Sequence, residues 1–365
     1  MPESAASSAG RTGTGRRVLW VSTSLDTRGG VASYVRTMRE TALWNQWRIR
    51  HVATHCDGSR TRRILIFVRA LPALLAEVLR RPAIVHVHMS SYGSFFRKSV
   101  VVWLCALLQL PVVLQVHGGE FHRFHAAAPV PLQWYIRRTV ESAAVVIALG
   151  ARWQRRRQEL APKADVVAVP NGIRLAAPVP QPAPEEPVRV LFLGQISEGK
   201  GTFDLLDAWS AAFGAADSVA QLTIAGDGEL DRARRRVAEL GLGASVHLPG
   251  WVSGPEVEAL LCRSHVLVLP SHNEGQPMAI LEAMAHGLCV VATDTGGIPD
   301  LIGDGCGLLV RVGEPSELAE ALTRVVTRPD LRVELSGKAI QRAREQFDVT
   351  VVADRIDQLY RAVLR

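Results

Sequence analysis

Short apolar runs typical of β-strands alternate with helical patterns along nearly the whole chain, and this alternation is the signature of doubly wound α/β domains. The predicted strands of the first half are Val18–Val21, Arg48–Ala53, Ala83–His88, Val112–Val116, Val145–Ala148 and Val166–Val169. Those of the second half are Val188–Leu193, Gln221–Ala225, Val246–Leu248, Val266–Leu269, Val290–Ala292 and Gly307–Val310. Because one core rarely grows past roughly 250–300 residues, 365 residues predict two such domains.

A proline-rich segment separates the two series of strands. AAPVPQPAPEEP, residues 176–187, contains five prolines, which favours a stiff, extended linker. We therefore expect Rossmann-like domains at residues 16–175 and 188–348, and a final helix over 349–365 that returns to the first domain. Two such domains face each other across a cleft at the carboxyl ends of their sheets, where ligands bind.

The ends and the apolar runs of the chain narrow its class further. Residues 1–15 are small and polar, which predicts a disordered tail, and they lack the apolar segment of a secretory signal. The longest apolar run, Ser99 to Val116, is interrupted by Gln109, Pro111 and Gln115, whereas a membrane-spanning helix needs about 20 apolar residues. We expect a buried helix followed by a buried strand. The cysteines have neither CxxC nor metal-site spacing, which favours reduced thiols in a cytoplasmic protein.

Charge is divided unequally between the halves. Residues 1–175 carry 25 Lys and Arg against 9 Asp and Glu, while residues 176–365 carry 17 against 26. The first half is therefore expected to meet an anionic partner. No nucleic-acid recognition motif is present, so we predict contact with the anionic inner face of a membrane. The alternative is a solvated basic face with the nearby aromatic residues as core anchors. Trp103, Trp134, Tyr135 and Trp153 lie near the basic residues.

A loop and helix after the strand Val266–Leu269 form the first candidate site. Glu274 lies just before a predicted helix, Pro277 to Ala285, and Glu282 lies within it; their spacing of eight places both acids on roughly one face. The N-terminus of that helix offers free backbone N–H groups and a positive dipole, which suit phosphate. Since carboxylates accept hydrogen bonds from sugar hydroxyls, the pattern predicts a pocket for a nucleotide-sugar.

A second anion seat is predicted in the same half. GQISEGKG, residues 194–201, follows the strand Val188–Leu193. Its glycines let the backbone approach a ligand closely, and Lys200 can place an ammonium group against a phosphate.

These motifs carry a family resemblance. FLGQISEGKG, AGDGEL, LPGWVS and LPSHNEGQPMAILEAMAHGLCVVATDTGGIP resemble the retaining glycosyltransferases of family 4, which have the GT-B fold. TRGGVASYV, VLQVHGGEF and VPNGI fit the N-terminal domain of that family, and the resemblance runs from about residue 16 to the C-terminus. It implies transfer of a hexosyl or N-acetylhexosaminyl group, with retention of configuration, from a nucleotide-diphosphate donor.

The resemblance also implies roles for individual residues. Lys200 resembles the lysine that holds the donor diphosphate, Glu274 the acid that contacts the transferred sugar, and Glu282 the acid that grips the ribose. His117 matches a histidine near the reacting sugar, so His117, Lys200 and Glu274 are the implied catalytic residues. The implied donor-binding residues are Gly29, Gly30, Gln195, Lys200, Gly250, Val252, Glu274, Gly275, Gln276, Pro277, Met278, Ala279 and Glu282. The expected acceptor contacts are Tyr92, Phe95, Glu120 and His122.

One position departs from the family pattern. Gln195 stands where the family usually has an arginine that shares the diphosphate charge, so a charge-assisted contact of about 1.5–3 kcal/mol is missing. We hypothesise that Arg28, beside the glycine loop, replaces it. No D-x-D motif follows a strand, so we expect neither a metal nor another cofactor.

Substrates stay open at the level of sequence. A UDP-sugar is favoured over a GDP-sugar, and a glycan or lipid-linked saccharide of polysaccharide or glycoconjugate biosynthesis is the favoured acceptor. The alternative is a natural-product glycosyltransferase with a soluble aglycone. A GT-B-like sugar-nucleotide epimerase or an inactive nucleotide-sugar-binding subunit are the remaining alternatives.

Overall fold

The computed structural model describes residues 15–183, 185–214 and 219–365, except for the side chain of Arg60. The predicted tail, residues 1–15, lies outside these ranges apart from Gly15. The described residues form two six-stranded parallel sheets with flanking helices. This confirms the predicted fold class of two doubly wound α/β domains.

The first sheet has the strand order β2-β1-β3-β4-β5-β6. Its strands are β1 (Val18–Ser22), β2 (Arg50–Ala53), β3 (Ile84–Met89), β4 (Val112–Val116), β5 (Val145–Ala148) and β6 (Val166–Ala168). The helices of this half are α1 (Gly30–Arg39), α2 (Ala42–Gln46), α3 (Arg60–Leu79), α4 (Gly93–Leu107), α5 (Phe121–Ala126), α6 (Val130–Glu141) and α7 (Ala151–Leu160). The central strands are buried along their whole length because helices cover both faces.

The second sheet has the order β12-β11-β10-β7-β8-β9. Its strands are β7 (Val188–Leu193), β8 (Ala220–Ala225), β9 (Val246–Gly250), β10 (Val266–Leu269), β11 (Cys289–Thr293) and β12 (Leu308–Val310). The following helices are α8 (Thr202–Phe213), α9 (Leu230–Glu239), α10 (Gly254–Leu261), α11 (Met278–Ala285), α12 (Ile298–Ile302), α13 (Pro315–Thr327), α14 (Pro329–Arg342) and α15 (Val349–Val363). In both sheets the order reverses beside the first strand, which is where a doubly wound sheet opens a ligand crevice.

The C-terminal helix α15 packs on the first sheet although it follows the second. Val352, Ile356 and Tyr360 belong to one apolar core with Trp20 of β1. The Trp20 indole donates to the Tyr360 hydroxyl at 2.8 Å, and the Trp47 indole donates to Asp357 at 2.8 Å. The helix thus completes the core on one face of the first domain.

The apolar run Ser99 to Val116 divides into the end of α4 and the strand β4, as predicted. Val101, Val102 and Cys105 face the core, while Leu107 points outward and is 79% exposed. Within the described ranges, none of the helices combines the length and apolar character needed to cross a membrane.

Candidate active site

Lys200 and Glu274 meet at the crevice of the second domain. Lys200 ends a single helical turn before α8, and Glu274 lies in the loop between β10 and α11. The Lys200 ammonium donates to Oε1 of Glu274, and the Ser271 hydroxyl donates to the same oxygen at 2.8 Å. The Glu274 side chain is only 9% exposed, so the lysine neutralises an almost buried carboxylate at the site where both motifs predicted an anion seat.

The N-terminus of α11 is open beside this pair. Pro277 precedes the helix without a side-chain cap, and the first turn carries no acid. The amides of Met278 and Ala279 therefore have no intrahelical partner, and the positive end of the dipole faces the crevice.

Glu282 lies further along the same helix. Burial raises the pKa of Glu282, while His286 and Arg36 of α1 act in the opposite direction.

The first domain reaches this seat through the loop after β4. A Cβ built on Gly275 would lie 2.6 Å from the carbonyl oxygen of His117, and one built on Gly119 would lie 2.7 Å from the amide nitrogen of Gly275. Contacts this short require glycine on both sides. The two backbones therefore close the crevice directly, which places His117 next to Glu274.

His117 continues a row of histidines that begins with the buried His86 and His88. Its Nε2 lies 2.9 Å from Nδ1 of His88, and the two rings stack with centroids 5.2 Å apart. Desolvation, with a contribution from the nearby Lys98 ammonium, lowers the pKa of His117 to about 3. His117 is therefore neutral at physiological pH and can exchange a hydrogen bond with a sugar hydroxyl without adding charge. Lys98 itself is buried, which lowers its pKa to about 7, whereas the sequence suggested only a basic residue on the surface of an amphipathic helix.

The glycine loop and Arg28 lie over the other side of the crevice. A Cβ on Gly30 would approach Cγ of Met278 to 3.1 Å, so this loop faces the start of α11. The Arg28 guanidinium pairs with Asp227 at 3.0 Å and lies 4.6 Å from the ring centroid of Trp251. Arg28 thus spans the cleft beside the exposed Gln195, and its proposed role at the diphosphate stays a prediction.

Gly250 and Val252, two of the implied donor-binding residues, lie at the last residue of β9 and in the loop after it. Gly250 has φ +82 and its carbonyl accepts from Gly226 at 2.8 Å. Val252 is partly buried just before α10.

Further contacts join the domains at positions that sequence reasoning did not assign to the cleft. The Trp153 indole donates to the carbonyl of Gly275 at 2.6 Å, and the backbone amide of Asn171 donates to the side-chain Oε1 of Gln276 at 2.6 Å. Trp153 is 2% exposed. Trp153 therefore fits the alternative of an aromatic core anchor and not a membrane-facing surface, because its side chain packs inside the cleft.

The residues expected to contact the acceptor differ in their exposure. Tyr92 is 56% exposed at the N-terminus of α4, and Glu120 accepts from the amide of Asn273 across the cleft. His122 lies 3.3 Å from Arg156. Phe95, in contrast, is fully buried among Phe121, Phe124 and Tyr135. Its expected contact with an acceptor is corrected, since an aromatic side chain on the inner face of α4 supports the cleft from behind.

Comparisons with known proteins agree with this architecture. A family model described as Glycosyltransferase Family 4 matches residues 12–177, and one described as Glycosyl transferases group 1 matches residues 187–328. The phosphatidyl-myo-inositol mannosyltransferase of Mycobacterium leprae is 27% identical over 93% of this chain and 95% of its own. TuaC of Bacillus subtilis, a glycosyltransferase named for teichuronic acid biosynthesis, is 27% identical over 81% of this chain and 76% of its own.

A solved structure shows the same fold. Anabaena Alr3699/HepE, crystallised in complex with UDP, superposes with a TM-score of 0.75 at 17% identity, covering 95% of this chain and 100% of that one. The two family models together match more than four fifths of the chain, one on each domain. The chain therefore belongs to the family 4 glycosyltransferases and has the GT-B fold.

Proposed function

We propose that this glycosyltransferase transfers a sugar, with retention of configuration, from a UDP-sugar to a hydroxyl of a lipid-linked saccharide. The observation that carries the proposal is the Lys200–Glu274 pair at the open N-terminus of α11, directly under the backbone of His117 to Gly119. A cation, free amides and a buried carboxylate converge there with a neutral histidine. A diphosphate and a sugar need these groups side by side.

The chemistry follows from where charge develops. Positive charge grows on the anomeric carbon and negative charge on the leaving diphosphate, so preorganised donors at the diphosphate lower the barrier. Lys200 and the amides of Met278 and Ala279 supply those donors. Glu274 and His117 accept hydrogen bonds from the sugar, and the acceptor hydroxyl attacks the face from which the diphosphate leaves. The departing phosphate oxygen takes the hydroxyl proton.

The nucleotide is the first substrate to test. UDP is our first choice because HepE, which shares the fold, was crystallised with UDP. A ligand that binds only the folded state raises the midpoint of thermal unfolding. We expect UDP to raise it more than GDP or ADP at equal concentration. A larger shift with GDP would transfer the proposal to a GDP-sugar.

The acceptor is proposed to lie at an anionic membrane. Helices α3, α4 and α6 bury their inner residues in one core, so they lie on one face of the first sheet. Their outward apolar side chains, all more than a third exposed, are Ile64, Leu65, Val68, Leu75, Leu79, Phe96, Val100, Trp103, Leu107, Val130 and Trp134. Exposed arginines on the same helices include Arg62, Arg63, Arg69, Arg137 and Arg138. Apolar and cationic groups on one face suit an anionic bilayer surface, and the Mycobacterium leprae relative is named for a phosphatidyl lipid.

Vesicle sedimentation tests the membrane part. We expect the protein to sediment with phosphatidylglycerol vesicles and not with phosphatidylcholine vesicles, and the double variant Leu107→Ser/Trp134→Ser to lose most of this binding. Val333→Ser is the matched control, because Val333 is 51% exposed on the second domain. Equal binding to both vesicles, or equal loss in the control, would contradict a membrane-facing surface.

Product analysis tests the reaction. The purified protein is incubated with UDP-sugars and a short-chain polyprenyl-diphosphate saccharide, and the anomeric configuration of the product is read by NMR. Retained configuration and stoichiometric UDP release are expected. Epimerised nucleotide-sugar would indicate the epimerase alternative, binding without turnover an inactive subunit, and transfer to a soluble aglycone alone a natural-product enzyme.

A further inference from the structure

Three side chains with metal-ligating atoms converge in the second domain. They are Glu258 of α10, Cys262 directly after α10, and His286 directly after α11, and their ligand atoms lie within 4.8 Å of one another. Cysteine spacing could not predict this cluster, because its members come from two separate helices. Glu258 and Cys262 are one helical turn apart and so share a face.

The orientation of the His286 ring is determined by its backbone partner. Nδ1 lies 2.7 Å from the carbonyl oxygen of Glu282, which can only accept, so Nδ1 carries a hydrogen. In the neutral ring, Nε2 then presents a lone pair. That nitrogen lies 3.0 Å from Oε1 of Glu258, so two electron-pair acceptors face each other. His286 is 4% exposed and held in place, and a cation between the two atoms would turn this opposition into an attraction.

The sulfur of Cys262, the third ligand atom of the cluster, indicates which cation fits. The sulfur of Cys262 lies 3.8 Å from the same Glu258 oxygen. A second proton on the imidazole would satisfy the histidine and the carboxylate alone, but one nitrogen, one oxygen and one sulfur donor together match Zn²⁺. A ligating histidine whose other nitrogen donates to a backbone carbonyl is the usual arrangement around such an ion.

We propose that Glu258, Cys262 and His286 bind Zn²⁺, with water as the fourth ligand and the thiol proton released to solvent. Access is open, since the side chain of Glu258 is 60% exposed and Cys262 is also exposed. The ion would join α10, which follows the Gly250–Val252 loop, to the end of α11, whose Glu282 carbonyl holds the histidine. Its ligands do not include Lys200 or Glu274, and His286 follows Glu282 by one helical turn, so we assign the ion a structural role beside the donor-binding helix.

Thiol reactivity is the first test, made on chelator-treated full-length protein without any donor. Cys262 is the exposed cysteine of the five, and the half-buried Cys56 serves as an internal reference. One equivalent of Zn²⁺ should slow alkylation of Cys262 by iodoacetamide at least tenfold and leave Cys56 unchanged. It should also raise the midpoint of thermal unfolding. An unchanged Cys262 rate would overturn the proposal.

Cobalt provides the second readout. Co²⁺ bound at this site should show a thiolate-to-metal charge-transfer band and the intense visible bands of tetrahedral cobalt. Both should disappear in Cys262→Ser and weaken in Glu258→Gln, whose exposed positions spare the fold, while Cys56→Ser keeps them. Cobalt spectra that persist in Cys262→Ser, or that lack a thiolate band, would contradict the proposed site. His286 and Glu258 would then form an ion pair without a metal ion. Neither result depends on the glycosyltransferase assay.

Discussion

Gly119 of the first domain packs against the backbone of Glu274 of the second: a Cβ on Gly119 would lie 2.7 Å from the Glu274 carbonyl carbon. The cleft is therefore closed by main chain against main chain at the point where sugar transfer is proposed. A side chain at this position would hold the domains apart. Closure and donor positioning thus depend on the same few atoms.

Gly119→Ala should lower kcat/KM for the donor by on the order of 10²-fold, because misplacement of about 1 Å at a reacting centre costs that much. Thermal unfolding should change little, since each domain keeps its core. Gly337→Ala is the matched control: Gly337 is exposed in α14 with nothing within 4 Å of an added Cβ, and alanine there should stabilise the helix by about 0.5–1 kcal/mol. Normal turnover in Gly119→Ala would show that the close approach is not needed.

Lys200→Ala should weaken UDP binding by roughly 10- to 100-fold, since a charge-assisted contact contributes about 1.5–3 kcal/mol. Calorimetric titration of UDP measures the change. Lys338→Ala removes another lysine–glutamate pair, with Glu334, but on an exposed surface of α14. It should leave UDP affinity unchanged. If both variants bind UDP like the parent protein, Lys200 does not hold the diphosphate.

Arg28→Ala tests whether an arginine from the glycine loop compensates for Gln195. We expect the donor KM to rise about tenfold, in keeping with one charge-assisted contact, with a smaller effect on stability because the pair with Asp227 is more than half exposed. Arg80→Ala breaks a surface pair with Glu77 far from the cleft and is the control. Donor KM and turnover that stay at parent values would reject the compensation by Arg28.

Acidification should destabilise the protein through its buried histidines. Burial lowers the pKa of both His86 and His117 to about 3, whereas an unfolded histidine titrates near 6.5. Above pH 6.5 both states are neutral. Between about 6.5 and 3 only the unfolded chain takes up these protons, so the free energy of unfolding falls as pH falls, by about 1.4 kcal/mol per pH unit for each histidine.

Denaturant titrations at pH 7.5, 6.0 and 5.0 measure this slope. His86→Gln should be less stable at every pH, but its free energy of unfolding should fall less steeply with pH, by about 1.4 kcal/mol per pH unit. Tyr360→Phe is the control, because it removes the 2.6 Å hydrogen bond between the Tyr360 hydroxyl and His86 while keeping every histidine. It should lower stability without changing the slope. A parent-like slope in His86→Gln would contradict a neutral His86.

The alternation of apolar runs predicted the fold well, because parallel strands buried on both faces leave an unmistakable pattern. The twelve described strands lie where apolar runs predicted them, and no strand end differs from its predicted position by more than two residues. The motif around Glu274 likewise predicted its neighbourhood with Lys200. The functional roles of these residues stay predictions, as does the absence of a metal requirement for transfer.

What sequence reasoning missed depends on contacts between distant segments. Trp153 looked like part of a basic amphipathic helix, yet α7 turns it into the cleft onto Gly275. Phe95 lies three positions after the exposed Tyr92, but Tyr92 precedes α4 with φ +53, so the two side chains do not share a helix face. His286, directly after α11, meets Glu258 of α10 through a contact between positions 28 residues apart. The local periodicity of a sequence does not predict contacts between segments that are far apart in the chain.

The return of α15 to the first domain has a consequence for the order of folding during synthesis. Trp20 and His86 lie early in the chain, but their buried polar atoms are satisfied by the hydroxyl of Tyr360. During synthesis, this core of the first domain cannot be completed until α15, at the end of the chain, has left the ribosome. The core described for the second domain contains no residue of α15, so it can be completed before that helix is made. The second domain is therefore synthesised later than the first, yet its core can be completed earlier.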